Sequence, residues 1–311
     1  MRKVLVIVGP TGVGKSDLSL FLAKKYNGEI ISGDSIQIYK ELNIGSAKVS
    51  KASRLKVKHY LIDQYQLNEP YDVKAFQSQA RALIERISEK GKLPIIVGGT
   101  GLYINAVLKD YIFLAEEDTS ELEQELDAKS NQELHDLLKT LDSQSADNLH
   151  INNRQRVKRA IIIAKTQTTT KSDIVEKQDH KLLYDAHIIS LTMPRELLYK
   201  RIDERVLMMD DLGLEAEVRN IVSKYAKPFE LRGMFGIGYK EWKPYFENKI
   251  SKEEVIKEIQ KRSRNYAKRQ YTWFRNQIEA NWYDILDDSY LSNIFSDIDN
   301  WLNETESESD E

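Results

Sequence analysis

Eight residues near the start of the chain have the types and spacing to hold a phosphate. Gly9-Pro10-Thr11-Gly12-Val13-Gly14-Lys15-Ser16 matches G-x-x-x-x-G-K-[ST]. The match directly follows a short apolar, β-branched run at 3–8 (KVLVIV) and opens a helical pattern, which is the context the motif requires. Its glycines let the backbone wrap an anion with N–H groups pointing inward, and the helix N-terminus adds its dipole. Lys15 supplies a point charge, and the Ser16 hydroxyl is placed to hold Mg²⁺. The loop specifies a phosphate or diphosphate ligand, not which one, and not that a nucleotide is cleaved. Such loops are often tied to ATP binding, yet nothing in the sequence demands ATP as a substrate.

Two further strings carry candidate chemistry. The strand-like run LPIIV (93–97) ends in Gly98-Gly99-Thr100-Gly101-Leu102-Tyr103, without the carboxylate of a nucleotide-hydrolysing site, and no N-K-x-D guanine reader occurs. The carboxylate at a strand end is instead Asp34, in Ser32-Gly33-Asp34-Ser35-Ile36-Gln37-Ile38-Tyr39. In a doubly wound sheet the C-terminal ends of the strands converge on the ligand crevice. Asp34 and Thr100 are therefore expected to face the phosphate loop. Each has a second role open to it: Asp34 as a turn or helix-capping residue, Thr100 as a turn hydroxyl.

These residues need a scaffold. Runs at 3–8, 29–32, 59–64, 93–97 and 186–191 read as strands, and helical periodicity fills 15–25, 73–90 and 195–209. Alternation of this kind predicts an α/β fold, a P-loop core with a parallel sheet wrapped by helices. Residues 114–181 are polar, helical and nearly strand-free, with the low-complexity stretch TQTTT at 166–170. They read as a helical insertion domain between core segments 1–113 and 182–283, whose C-terminal region is helical. Residues 284–311 carry ten acidic side chains and no Lys or Arg. They read as an acidic tail, disordered over its last ten residues.

The net charge of −3 hides an asymmetry. Without 284–311 and the acidic stretch 115–150, the chain has 44 basic and 28 acidic side chains, a basic body suited to a polyanion. The capping box Ser251-Lys252-Glu253-Glu254 starts a long helix. On it Lys257, Lys261, Arg264, Lys268 and Arg275 fall on one side, beside an apolar stripe of Ile256, Ile259, Ala267, Phe274 and Ile278. Tyr266, Tyr271 and Trp273 interleave with the basic residues. A second cluster, Arg154-Gln155-Arg156-Val157-Lys158-Arg159, opens a helix in the insertion. Cations on phosphates and aromatics under unpaired bases suit RNA, although either cluster alone could be a solvated helix face.

Other chemistries are excluded. There is no Cys, hence no disulfide, thiolate nucleophile or Cys-ligated metal. His59, His135, His150, His180 and His187 never stand at i, i+4. No membrane span or secretory segment is seen near the start. The expectation is a cytoplasmic protein acting as a monomer, with no membrane partner.

Taken together, the strings resemble the tRNA dimethylallyltransferases (tRNA isopentenyltransferases). They are GPTGVGKS (9–16), GDSIQIYK (33–40), NIGSAK (43–48), HYLID (59–63), EPYDV (69–73), GGTGLY (98–103), RQRVKRA (154–160), GIGYKE (236–241) and KRQYTWFR (268–275). The resemblance implies transfer of a dimethylallyl group from its diphosphate to N6 of the adenosine just 3′ of the anticodon, with Mg²⁺ assisting. It implies that Gly12, Gly14, Lys15 and Ser16 hold the diphosphate, and that Asp34 is the general base. Thr100 would sit at the bridging oxygen, and Arg219 where the family often has an active-site Arg. Ser35, Ile36 and Gln37 would line the adenosine pocket. Gln155 to Arg159, Phe235, Gly236, Ile237, Gly238, Tyr239 and Lys240, with Lys268, Arg269 and Arg275, would touch tRNA. Two other readings of the loop remain: a small-molecule kinase, which leaves the basic helix unexplained, and a non-catalytic RNA-binding ATPase.

Overall fold

The computed structural model describes residues 1–111, 113, 119–167, 169, 170, 172, 173 and 181–304. The chain divides into two compact units, one made of residues 1–108 with 182 onward, the other of 109–181.

The first unit is built on a parallel sheet. Its strands are β1 (Lys3–Val8), β2 (Gly28–Ser32), β3 (His59–Tyr60), β4 (Leu93–Val97), β5 (Asp185–Thr192) and β6 (Asn281–Asp284). They lie in the order β3-β2-β4-β1-β5-β6, every pair parallel. β1 is central and buried on both faces, which is why it reads as continuous Val, Leu and Ile. Val4, Val6 and Val8 face a core with Phe76, Ala80, Leu83, Ile84 and Ile87 of α3 (Val73–Glu89). Leu5 and Ile7 face the opposite core, with Leu18 and Leu22 of α1 (Lys15–Lys25). Burying such a side chain contributes about 1.5–3 kcal/mol. The register Leu5↔Ile95 and Ile31↔Ile96 sets the ends of β1, β2 and β4 side by side. The loops after these strands therefore share one edge.

The helices following β2 and β4 are α2 (Lys51–Lys56) and α4 (Gly101–Leu108). In the second unit, α5 (Ser120–Asp127), α6 (Asn131–Leu141), α7 (Ser143–Asn148) and α8 (Arg154–Thr166) enclose a small core of their own. Leu126, Leu134, Leu138, Val157, Ala160 and Ile161 fill it. Part of the basic cluster is spent here. Val157 is in this core, Lys158 is buried against Asp127, and Arg154 donates to the carbonyls of Leu126 and Asp127. Only Gln155, Arg156 and Arg159 are exposed, so the side chains of Val157 and Lys158 are not an RNA surface.

After β5 come α9 (Arg195–Asp211), α10 (Leu214–Lys224), the short α11 (Lys243–Phe246), α12 (Lys252–Gln277) and α13 (Tyr290–Asn303). The capping box of α12 forms: Ser251 N donates to Glu254 and Glu254 N to Ser251 Oγ. The reading of 284 onward as a tail needs correction. Residues 281–284 are the sixth strand, and α13 buries Ile294, Ile298 and Trp301 against the sheet. Trp301 Nε1 donates to Asp185 Oδ1 at 2.7 Å, and Lys3 Nζ donates to the Trp301 carbonyl at 2.6 Å. The acidic residues concealed an i, i+4, i+7 apolar row. Residues 305–311, most of the segment expected to be disordered, lie outside the described residues, as does Thr168 of the TQTTT stretch.

Candidate active site

The loop 9–16 bends from β1 into α1, whose N-cap Gly14 has φ 101°, a left-handed conformation that glycine adopts without steric cost. Along the same edge stand Asp34 after β2 and Thr100 after β4. All three strands deliver side chains to one cleft of about 680 Å³. Thr11, Gly12, Gly14, Lys15 and Ser16 line it, with Asp34, Ser35, Ile36, Gln37 and Thr100. Phe235, Gly236, Ile237, Gly238, Lys240 and Arg269 line it as well. Gly9, Pro10 and Val13 shape the loop from beneath, buried.

Lys15 Nζ donates to the carbonyls of Gly9 at 2.9 Å and Pro10 at 2.8 Å. Burial pushes its pKa down to about 7, the positive charge of Arg205 pushes the same way, and Asp34 opposes both. Arg205 was not foreseen from the sequence. It projects from α9 into the cleft, and its Nη2 donates to Thr11 Oγ1 at 2.6 Å. Its buried Nε has no hydrogen-bond partner among the described residues. A buried guanidinium with a donor to spare beside an ammonium is a site for an anion.

Asp34 both closes a turn and lines the cleft. Oδ1 accepts the N–H of Ile36 at 2.8 Å and of Gln37 at 3.3 Å, closing a turn. Oδ2 takes no part in that turn, and the carboxylate lines the cleft near enough to oppose the burial that lowers the pKa of Lys15 and Arg205. Gln270 of α12 ties the edge together. Its Oε1 accepts Thr11 N–H at 2.8 Å, and its Nε2 donates to the Gly99 carbonyl at 2.9 Å.

Several sequence expectations are placed elsewhere. Arg219 is an exposed residue of α10 that pairs with Glu215 at 2.7 Å and lies over Phe246, outside the cleft. The arginine facing the phosphate loop is Arg205, fourteen residues earlier. Tyr239 is fully buried and donates to Glu217, so its ring offers no surface to RNA. Arg275 stacks over Tyr271 and Trp282, and Arg264 pairs with Asp203. Lys268 is exposed on α12 away from the cleft lining. Arg201, Arg205, Arg232, Ser263, Tyr266 and Gln270 line the cleft without having been singled out for it. The i, i+4 pair Arg201/Arg205, on a helix that follows a sheet strand, was the available signal.

A glycine-rich loop, an arginine and a carboxylate at the C-terminal edge of a parallel sheet define a protein of the P-loop α/β class. Known proteins narrow the class. The profile of the IPP transferase family matches residues 37–277. A tRNA dimethylallyltransferase of Pediococcus pentosaceus is 44% identical over 97% of both chains, and one from Bacillus anthracis is 44% identical over 97% of this chain and 96% of its own. The crystal structure of a tRNA isopentenylpyrophosphate transferase from Staphylococcus epidermidis superposes with TM-score 0.72 at 39% identity, covering 96% of this chain and 99% of that one. A eukaryotic dimethylallyltransferase, described as acting on tRNA, gives TM-score 0.85 at 29% identity over 96% and 79%. This chain belongs to the IPP transferase family, the tRNA dimethylallyltransferases. The kinase reading of the loop falls with that assignment. Among the described residues no helix is long and apolar enough to cross a membrane.

Proposed function

We propose that the protein transfers the dimethylallyl group of dimethylallyl diphosphate to N6 of the adenosine 3′-adjacent to the anticodon of tRNA, releasing diphosphate. The observation that carries this reading is the shared cleft, which Lys15 and Arg205 line together with the Asp34 carboxylate. The allylic C1–O bond breaks, and its electron pair leaves on the diphosphate. The loop amides, Lys15 and Arg205 stabilise that charge. The N6 lone pair forms the new C–N bond, and the Asp34 carboxylate takes the amine proton. Thr100 stands by the leaving oxygen. The adenosine must leave its stack to enter, against a wall that includes Ile36, Phe235 and Ile237. Arg156 and Arg159 on the insertion, with Lys240 and Arg269 at the cleft, are the cations we assign to tRNA phosphates.

Magnesium suits this donor set. Among the described residues no three His, Cys, Asp or Glu side chains cluster to hold a metal. Mg²⁺ would be held by the Ser16 hydroxyl on the cleft lining, substrate phosphate oxygens and water, its usual arrangement with phosphates. Bound there, it would supply charge neutralisation to the leaving group. A tRNA substrate supports a cytoplasmic setting. The reading takes the protein as a monomer.

The test is incubation with dimethylallyl diphosphate, Mg²⁺ and bulk tRNA, without any nucleoside triphosphate, followed by nucleoside analysis. N6-dimethylallyladenosine is the expected product. Phosphoryl transfer from ATP to a small acceptor, with no prenylated nucleoside, would overturn the reading.

A further inference from the structure

The string Asn43-Ile44-Gly45-Ser46-Ala47-Lys48 is a loop between β2 and α2, and Gly45, Ser46 and Ala47 line the cleft. A side chain that does not line the cleft holds it in place. Glu217 of α10 accepts the N–H of Asn43 at 3.1 Å, of Ile44 at 2.9 Å and of Gly45 at 3.3 Å. Three consecutive amides converging on one anion form a nest. Here the anion is the protein's own carboxylate.

The same carboxylate accepts the Tyr239 hydroxyl proton at 2.8 Å, and the Tyr239 oxygen accepts Ser46 N–H at 3.1 Å. Tyr239 belongs to the GIGYKE string, whose Gly236, Ile237, Gly238 and Lys240 form another part of the cleft wall. The two loops meet backbone to backbone. A Cβ on Gly45 would fall 2.7 Å from the Tyr239 ring, and one on Gly238, at φ +99°, would fall 3.0 Å from the Gly45 carbonyl oxygen. The junction reaches the proposed base. Gln37 Nε2 donates to the carbonyls of Ser46 at 3.3 Å and Ala47 at 3.4 Å, while Gln37 N–H donates to Asp34 Oδ1.

We infer that Glu217 is a positioning residue for the acceptor adenosine: it fixes the 43–47 loop against the GIGYKE loop and, through Gln37, the turn that aims Asp34. The inference rests on the proposed transfer and adds the device that shapes its acceptor side. The donor side is built from other residues: the phosphate loop, Arg205 and Gln270 make no hydrogen bond to Glu217. Loss of Glu217 should therefore act on one substrate and spare the other.

The experiment is steady-state prenylation by the full chain with each substrate varied in turn, for wild type, Glu217→Ala, Glu217→Gln and Tyr239→Phe, beside thermal melting. A displacement of about 1 Å near the reacting atoms can cost about 100-fold. Glu217→Ala should raise the tRNA KM and lower kcat by about 10–100-fold, with the dimethylallyl diphosphate KM within about twofold. Glu217→Gln keeps one acceptor oxygen but turns an amide N–H toward other donors, so it should fall between. Tyr239→Phe should shift the same parameters by less. If Glu217→Ala does not fold, Glu217→Gln carries the test. A lower melting temperature and lower kcat with both KM values unchanged would make Glu217 merely structural and overturn the inference. Equal rises in both KM values, or tRNA KM and kcat within twofold of wild type in both Glu217 variants, would also overturn it. Wild type that makes no prenylated adenosine would instead overturn the transfer reading itself, and the inference with it.

Discussion

In the proposed transfer Lys15 meets the incoming diphosphate, and its burial implies a pH signature for binding. With its pKa held down to about 7, about nine-tenths of the free protein's Lys15 is neutral at pH 8. A diphosphate beside Nζ favours the charged form and raises that pKa. Binding at pH 8 should therefore take up about 0.9 proton at this side chain. The sign follows from linkage: the complex binds more protons than the free protein, so affinity falls as pH rises. Kd should weaken about tenfold per pH unit, or ~1.4 kcal/mol, from about 7 up to the pKa of the complex. Below about pH 6 Lys15 is already charged in the free protein, and its contribution to the slope disappears. Titration calorimetry of inorganic diphosphate between pH 7.5 and 9, in two buffers of different ionisation enthalpy, measures the proton count directly. Lys15→Arg stays charged throughout this range, so its slope isolates the ligand's own ionisation. Identical proton uptake and slope in wild type and Lys15→Arg would refute the reasoning.

Three further outcomes are expected. Asp34→Asn keeps the turn acceptor but loses the proton acceptor, so single-turnover prenylation should slow about 10²–10⁴-fold with tRNA affinity nearly unchanged; turnover within a few-fold of wild type would leave Asp34 a turn residue only. Arg205→Ala should raise the dimethylallyl diphosphate KM and lower kcat, whereas Arg219→Ala, which removes an exposed pair with Glu215, should leave both within about twofold; the reverse result would restore Arg219 to the site. Trp301→Ala should destabilise the fold by about 3–5 kcal/mol in a denaturant melt, while deletion of 305–311 should change neither the melt nor turnover; a silent Trp301→Ala would mean that α13 is an appendage.

What was legible in the sequence was local. The phosphate loop could be read because its glycines, Lys15 and Ser16 must lie within one turn, and the strand ends because a buried parallel strand is a run of Val, Leu and Ile. Asp34 and Thr100 could be placed because strand ends in such a sheet share an edge. What was not legible depends on contacts between distant segments. Arg205 faces the loop only because α9 packs its Leu198 and Ile202 into the core that holds α1. Gln270 reads as one polar residue on a basic helix, yet it bridges Thr11 and Gly99, 259 and 171 positions away. Glu217 and Arg219 stand two residues apart in EAEVR. Helical geometry turns one toward the cleft wall and the other to solvent, a choice that composition cannot make.

The charge map shows the same division between counting and placement. The basic surplus suggested a broad electrostatic face, but several of the cations behind it are held in ion pairs of the protein's own. Lys158 sits on Asp127, Arg264 on Asp203, Lys48 on Asp63, and Lys90 and Lys92 on Glu29. The acidic C-terminal stretch is likewise partly structural, since Asp297 accepts the Tyr283 hydroxyl. The cations left for a polyanion are fewer and more local. At the cleft they include Arg201, Arg232, Lys240 and Arg269, and on the insertion the exposed Arg156 and Arg159. Each neutralised phosphate contributes about one unit to the salt slope of binding. The slope of tRNA binding therefore counts the phosphates that cations such as these contact, and is not read from the net surplus of the whole body.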